Sequence, residues 1–306
     1  MKLSVVIPAL NEAQNITLTI EEIQASIAKA SLIGDYEIIV VDDHSADKTF
    51  EVIQALENSK VKCIRLSRSS GSHIAIRAGI NNAQGDAVLC ISADGQDDPS
   101  VLAEMAKKLK AGSHVIWALR THREESFSYK CMVGVFYFIL KTMSGKSIHQ
   151  IDLANADFFL LHRKVVDALM NCGETNTSLM GLISWLGFQQ DSVVYHRRKR
   201  MQGTSRWSFR SRMRLAADWI IAFSGLPLRL ISVLGFAVAL LGFVYAIVIV
   251  INAYIGHPAP GWSETVVLIL VLSGFQMIIS GVIGEYLWKN LSETRRRPLY
   301  FIEKQS

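Results

Sequence analysis

The chain has 306 residues, half of them hydrophobic, and a formal net charge of +5, enough for one large α/β domain and a smaller unit. That apolar share is high for a wholly soluble protein. Four cysteines (63, 90, 131 and 172) without paired spacing exclude a disulfide framework and read as reduced thiols. The apolar run Leu3–Leu10 is short, contains Pro8 and runs into Asn11-Glu12, so it does not read as a signal peptide.

In chain order, Leu3–Ile7 reads as a strand and Ala13–Lys29 has helical spacing. Glu37–Val41 is a second strand, ending in Asp42-Asp43-His44-Ser45, with a helix opening at Asp47. Val61–Leu66 and Ala87–Ile91 are further strands, separated by a helix over Ser72–Ala83; Pro99–Ala111 is helical and His114–Ala118 extended. The alternation predicts an α/β, Rossmann-like domain with a mostly parallel central sheet covered on both faces. A dinucleotide fingerprint would place glycines after the first strand. That position reads Pro-Ala-Leu-Asn-Glu, and no P-loop motif occurs anywhere, which argues against both classes.

Val88–Pro99 organises the chain. Its apolar half makes a buried strand, and Asp94, Gln96, Asp97 and Asp98 follow at the carboxyl end, where ligands bind in open α/β sheets. Oxygen donors this dense suit Mg²⁺ or Mn²⁺ on the phosphates of a nucleotide. An acidic cap for the helix at Pro99 is the plainer reading, and both hold if Asp98 caps while Asp94 and Gln96 face the ligand.

Leu230–Gly256 and Thr265–Gly284 carry no Asp, Glu, Lys or Arg, and each meets the length needed to cross a bilayer. The sequence therefore predicts a transmembrane hairpin over 228–289, with spans at about 229–254 and 264–287, turning through the Gly/Pro-rich link Tyr254–Trp262. Residues 192–217 hold eight Lys/Arg and no acid, and the rest of the chain carries more acids than bases. Basic flanks on both sides of the hairpin put both termini and the large domain in the cytoplasm, giving a multi-pass protein of the cytoplasmic membrane. Over 204–227, Arg206, Arg210 and Arg214 share one helical face and Met213, Ala217, Ile220 and Phe223 another, an amphipathic helix for the membrane surface. The domain boundaries are thus 1–203, 204–227, 228–289 and a cytoplasmic tail, 290–306. Ser273, Gly274, Ser280, Gly281 and Gly284 offer small surfaces for helix contacts, compatible with a homo-oligomer. Nucleic acid is not an expected partner.

The blocks Ser-Val-Val-Ile-Pro-Ala-Leu-Asn-Glu (4–12), Val-Val-Asp-Asp-His-Ser-Ala-Asp-Lys-Thr (40–49) and Ser-Ala-Asp-Gly-Gln-Asp-Asp-Pro (92–99) resemble those of family 2 inverting glycosyltransferases. Residues 66–71, 156–163 and 198–208 and the C-terminal hairpin narrow the resemblance to polyprenyl-phosphate glycosyltransferases, the dolichol-phosphate mannose synthase group and above all its bactoprenol glucosyltransferase branch. It covers nearly the whole chain and implies a GT-A fold, a UDP-sugar donor, a polyprenyl phosphate acceptor and a divalent cation.

On that resemblance Pro8, Leu10, Glu12, Asp42 and Asp43 hold the nucleoside, with Asp43 suited to accept a uracil N3–H. Arg68 approaches the donor or pairs with an acid. Asp94 and Gln96 carry the metal, and Ser92 stands where the family usually has an aspartate, so weaker metal affinity is expected. Asp157 is a general base or an orienting group, with Asp94 and Arg200 as its catalytic partners. Arg200 and Ser205 match an Arg-x-x-Gly-x-Ser motif set to hold phosphates, Arg206 follows it, and Arg120 and Arg123 are further phosphate candidates. The alternatives are a processive membrane polysaccharide synthase and a non-catalytic scaffold that senses sugar nucleotide.

Overall fold

The computed structural model describes residues 1–120, 157–173, 178–196, 198, 226–255, 261–295 and 297–305. They fall into two compact units, one of residues 1–214 and 297–306, the other of residues 215–296. Arg123, Arg200, Ser205, Arg206 and residues 204–225 of the helix expected over 204–227 lie outside the described residues.

The first unit is built on an eight-stranded sheet: β1 (Lys2–Ala9), β2 (Asp35–Asp42), β3 (Val61–Leu66), β4 (Ala87–Cys90), β5 (Val115–Arg120), β6 (Phe158–His162), β7 (Gln190–Tyr195) and β8 (Ile302–Gln305). Their order across the sheet is β7-β5-β6-β4-β1-β2-β3-β8. Strands β3, β2, β1 and β4 are mutually parallel, as are β5 and β7. Two strands run against the rest: β6, inserted between β4 and β5, and β8 on the free edge of β3.

The strands forecast from β1 to β5 are present within a few residues of their expected ends. Val5, Val6, Ile7 and Ile38–Val41 are fully buried, as strands covered on both faces require. Helices α1 (Ile16–Lys29), α2 (Thr49–Gln54), α3 (Ser72–Asn82) and α4 (Leu102–Lys110) connect them. In α1 the buried residues Ile16, Ile20, Ile23 and Ile27 fall at helical spacing and make its core-facing stripe. The segment forecast as one helix from Pro99 begins as a 3₁₀ turn, Pro99–Val101, capped by the Asp98 carboxylate on Ser100 N–H (3.0 Å). Two more helices, α5 (Arg163–Met170) and α6 (Leu179–Trp185), follow β6. Cys63 and Cys90 are free and buried; burial pushes the Cys63 thiol up to about 12, so it packs as a small apolar group.

The second unit consists of α7 (Leu226–Tyr254) and α8 (Trp262–Thr294). Their described apolar side chains are largely exposed, among them Phe236, Leu241, Phe243, Met277 and Ile278. That is the wrong way out for a buried soluble pair. Among the described residues one stretch, Val271–Leu291, is long and apolar enough to cross a membrane. The run in α7, Ile231–Tyr245, is shorter, about 22 Å of helix against a hydrocarbon core of about 30 Å. One crossing is therefore supported where the sequence predicted two. The last residues, expected to be a tail, include the edge strand β8.

Gly85 fixes the approach of the α3–β4 turn to β1. A Cβ there would lie 2.6 Å from Ser4 N and 2.8 Å from Lys2 O, both backbone atoms. Gly85→Ala is expected to cost about 1–3 kcal/mol through overpacking, read as a lowered unfolding midpoint of the detergent-solubilised protein. An unchanged midpoint would mean the turn yields freely.

Candidate active site

The strand directions gather the polar groups at one edge. Strands β1, β2 and β4 are in parallel register, Ala9 opposite Asp42 and Val6 opposite Cys90, so the segments after Ala9, Asp42 and Cys90 leave the sheet together. Because β6 is antiparallel to β4, with Phe159 opposite Cys90, the residue preceding β6 reaches that same edge. That residue is Asp157. Strand β5 ends there at Arg120, whose partner in β7 is Tyr195.

The base end is built from the turns after β1 and β2, which are laced together. Asn11 takes a left-handed backbone (φ 57°), as asparagine tolerates. Its N–H donates to Ser45 Oγ (2.9 Å), and its side-chain oxygen accepts from Ala46 N–H (2.7 Å). Glu12 N–H donates to Thr49 Oγ1 (3.0 Å), while the Glu12 carboxylate holds Asn15 (2.7 Å). Pro8 and Leu10 are half-buried beside this turn. Asp42 has no exposed surface: it accepts from Ser45 N–H (2.9 Å) and pairs with Arg65 (2.8 Å). It shapes the turn instead of presenting an oxygen at the surface. Asp43 accepts from Ser70 N–H (2.7 Å) through one oxygen, and from Gly71 N–H (2.9 Å) and the Ser69 hydroxyl (3.0 Å) through the other. The 69–71 loop turns on Gly71, whose φ of 95° suits glycine. Arg68 is exposed at its start, with no ion pair among the described residues.

The acidic loop after β4 turns at Gly95 (φ 68°). Ser92 Oγ lies 2.8 Å from Asp94 Oδ1 and 2.6 Å from Asp97 Oδ2, so its single proton serves two carboxylates. Gln96 N–H also donates to Asp94 (3.1 Å). Asp97, buried, accepts the Tyr195 hydroxyl on its other oxygen. Burial, and then the Asp97 charge, pushes the Tyr195 hydroxyl well above its ordinary value, keeping it a donor. Arg120 Nε donates to Tyr195 Oη (3.3 Å) and its Nη2 to Asp157 (3.3 Å). A continuous chain therefore runs from Asp157 through Arg120, Tyr195 and Asp97 to Ser92 and Asp94. Asp157 is 55% exposed and Arg120 17%, so the carboxylate, not the guanidinium, is the group a substrate meets first. His73, at the start of α3, is held below its ordinary pKa by burial, against the pull of the Asp157 charge.

The basic segment after β7 reaches the acidic loop. Arg198 N–H donates to the Gln96 carbonyl (3.0 Å), and Gln96 Nε2 lies 3.4 Å from the Arg198 carbonyl. The Arg198 guanidinium bridges Asp98 (3.0 Å) and Glu22 on α1 (2.8 Å). Of the residues singled out in the sequence, Asp94, Gln96, Asp157 and Arg120 meet here, while Asp42 and Asp43 lie two strands away, about 10 Å. Asn11, Arg65 and Tyr195 were not singled out in the sequence, and Arg198 only as part of the basic stretch, because their partners lie far away in the chain.

No group of three His, Cys, Asp or Glu side chains among the described residues forms a metal cage. Asp94, Gln96 and Ser92 offer oxygen donors, the right chemistry for a hard cation that draws its remaining ligands from diphosphate and water.

A mostly parallel sheet with an acidic loop at its carboxyl edge, and no glycine fingerprint, defines a class of α/β nucleotide-sugar enzymes of the GT-A type. The chain belongs to glycosyl transferase family 2, whose family model matches residues 4–169. The uncharacterised glycosyltransferase YkcC of Bacillus subtilis (strain 168) is 36% identical over 305 residues, covering 98% of this chain and 93% of its own. The SfII prophage-derived bactoprenol glucosyl transferase of Shigella flexneri is 33% identical over 310 residues, 99% of this chain and 98% of its own. The undecaprenyl-phosphate 4-deoxy-4-formamido-L-arabinose transferase of Yersinia enterocolitica serotype O:8 is 31% identical, with 99% and 93% covered.

Ser92→Asp would set a third carboxylate against two that now share a hydroxyl. In EDTA the variant should lose at least about 1 kcal/mol, the worth of one pKa unit, and Mn²⁺ should raise its melting temperature more than that of the wild type. Equal Mn²⁺ shifts in both proteins would remove Ser92 from the cation's surroundings.

Proposed function

We propose that this protein moves a hexose, glucose by resemblance, from UDP-glucose to the phosphate of undecaprenyl phosphate at the cytoplasmic face of the inner membrane. The meeting of Arg198 with Gln96 and Asp98 carries this reading, because it delivers the basic segment to the acidic loop. Arg200, Ser205 and Arg206 follow within a few residues and would serve the phosphates of donor or acceptor. Near-full-length similarity to a bactoprenol glucosyl transferase supports the lipid acceptor.

The reaction is an inverting displacement. An oxygen of the lipid phosphate bonds to the anomeric carbon as the bond to the UDP oxygen breaks, and the electron pair leaves with UDP. That oxygen is already anionic near neutral pH, so Asp157 has little proton to remove. Its work is to orient the acceptor, steadied by Arg120. Pro8, Leu10 and the turn held by Asp42 would seat the nucleoside, with the uracil N3–H reaching Asp43 Oδ1, which accepts from Ser70 alone among the described residues. Asp94 and Gln96 would hold Mg²⁺ or Mn²⁺, which supplies charge neutralisation on the diphosphate. Arg68 would approach the donor, and Arg123 would serve the phosphates.

The apolar stretch Val271–Leu291 of α8 supports membrane attachment. The chain leaves the first unit for the helices and returns to pair β8 with β3.

Membranes given radiolabelled UDP-glucose and undecaprenyl phosphate should yield lipid-extractable label. Insoluble polymer would indicate a polysaccharide synthase, and binding without transfer a scaffold. Asp157→Asn should lower turnover by about 10²-fold, the cost of a misplaced reactant, with UDP affinity retained; unchanged turnover would remove Asp157 from the site. A panel of other UDP-sugars in the same assay fixes the sugar.

A further inference from the structure

The C-terminal strand adds to the sheet on the free edge of β3, one strand beyond β2, at whose end the nucleoside is proposed to sit. Leu66 pairs with Ile302 and Arg65 with Lys304, so the ladder shifts register and Glu303 is the extra residue of a bulge. Bulges at sheet edges re-aim a side chain. Here the Glu303 carboxylate comes 3.3 Å from Arg65 Nε and 3.5 Å from His44 Nδ1. Arg65 spends its other nitrogens on Asp42 (2.8 Å) and the Ser45 carbonyl (3.0 Å). A planar guanidinium held on three sides cannot rotate. His44 itself is in the left-handed region (φ 60°), with Nδ1 3.1 Å from the Leu66 carbonyl. The chain is pinned just ahead of the bulge as well, by Ser67 N–H on the Phe301 carbonyl (2.9 Å) and Asn81 on Tyr300 Oη (3.2 Å).

We propose that Glu303 is a positioning residue of the donor site: it fixes Arg65, and through it the buried Asp42 and the 43–45 turn on which the nucleotide rests. The C-terminal strand is then a working part of the donor site and not a trailing end. This rests on the reading that the nucleoside binds at the ends of β1 and β2.

The test measures UDP affinity by calorimetry, with KM and kcat for the UDP-sugar, on the full-length protein in detergent. Glu303→Gln should weaken UDP binding and raise KM by about two- to fivefold, the range of a half-exposed charge pair. Turnover at saturation and melting temperature should stay near wild type, and Glu303→Asp should recover part of the affinity. In an Arg65→Lys background Glu303→Gln should be silent, because the guanidinium it acts through is gone. Wild-type affinity in Glu303→Gln, or a loss that persists undiminished in the Arg65→Lys background, overturns the proposal alone. A wild-type protein without UDP affinity overturns it together with the donor-site reading.

Discussion

Negative charge crowded onto one edge of a sheet is the constraint on which this structure depends. Asp42, Asp43, Asp94, Asp97, Asp98 and Asp157 all lie where the strands end, and like charges so gathered would repel or take up protons. Each is supplied with its own donors instead. Asp42 has Arg65, Asp98 has Arg198 and Asp157 has Arg120. Asp43 has the loop amides, while Asp94 and Asp97 divide the hydroxyl of Ser92. Those donors come from β3, β5, the 69–71 loop and the segment after β7, so the same hydrogen bonds that tame the charge also tie distant parts of the chain together. A preorganised edge of this kind would meet the proposed diphosphate and cation without having to rearrange its own dipoles.

The antiparallel strand β6 is the device that completes the site. A parallel strand in that position would deliver its carboxyl end to the acidic edge and its first residue to the opposite one. Reversal brings Asp157 next to Arg120 and within the electrostatic reach of His73. The proposed base end and reacting end consequently sit on strands that flank β1 and β4 from opposite sides, as an elongated donor with nucleoside and sugar at opposite ends of a diphosphate would require.

Much of this was legible in the sequence. Strands β1 to β4 are short apolar runs punctuated by Asp, Asn and Gly, and such runs have few alternatives to a buried parallel strand. The acidic loop announced itself by composition. What stayed hidden depends on pairing, not on pattern. Phe158–His162 carries no mark of its direction, and Ile302–Gln305 is exposed throughout, with no apolar periodicity to betray a strand. Arg65 and Tyr195 look like ordinary strand residues until the register sets Asp42 beside one, and Arg120 and Asp97 beside the other. Asp42, prominent in the sequence as a candidate ligand, proved to be sealed beneath the turn it holds.

The proposed transfer requires the acidic loop near residue 94 and the basic segment near residue 200 to converge upon one diphosphate. A double-mutant cycle of Asp94→Asn and Arg200→Gln, read in kcat/KM for the UDP-sugar, addresses that directly. Groups acting on a shared diphosphate should couple by about 0.5–3 kcal/mol. Losses that simply add, to within about 0.5 kcal/mol, would mean the two groups serve separate places and would contradict it.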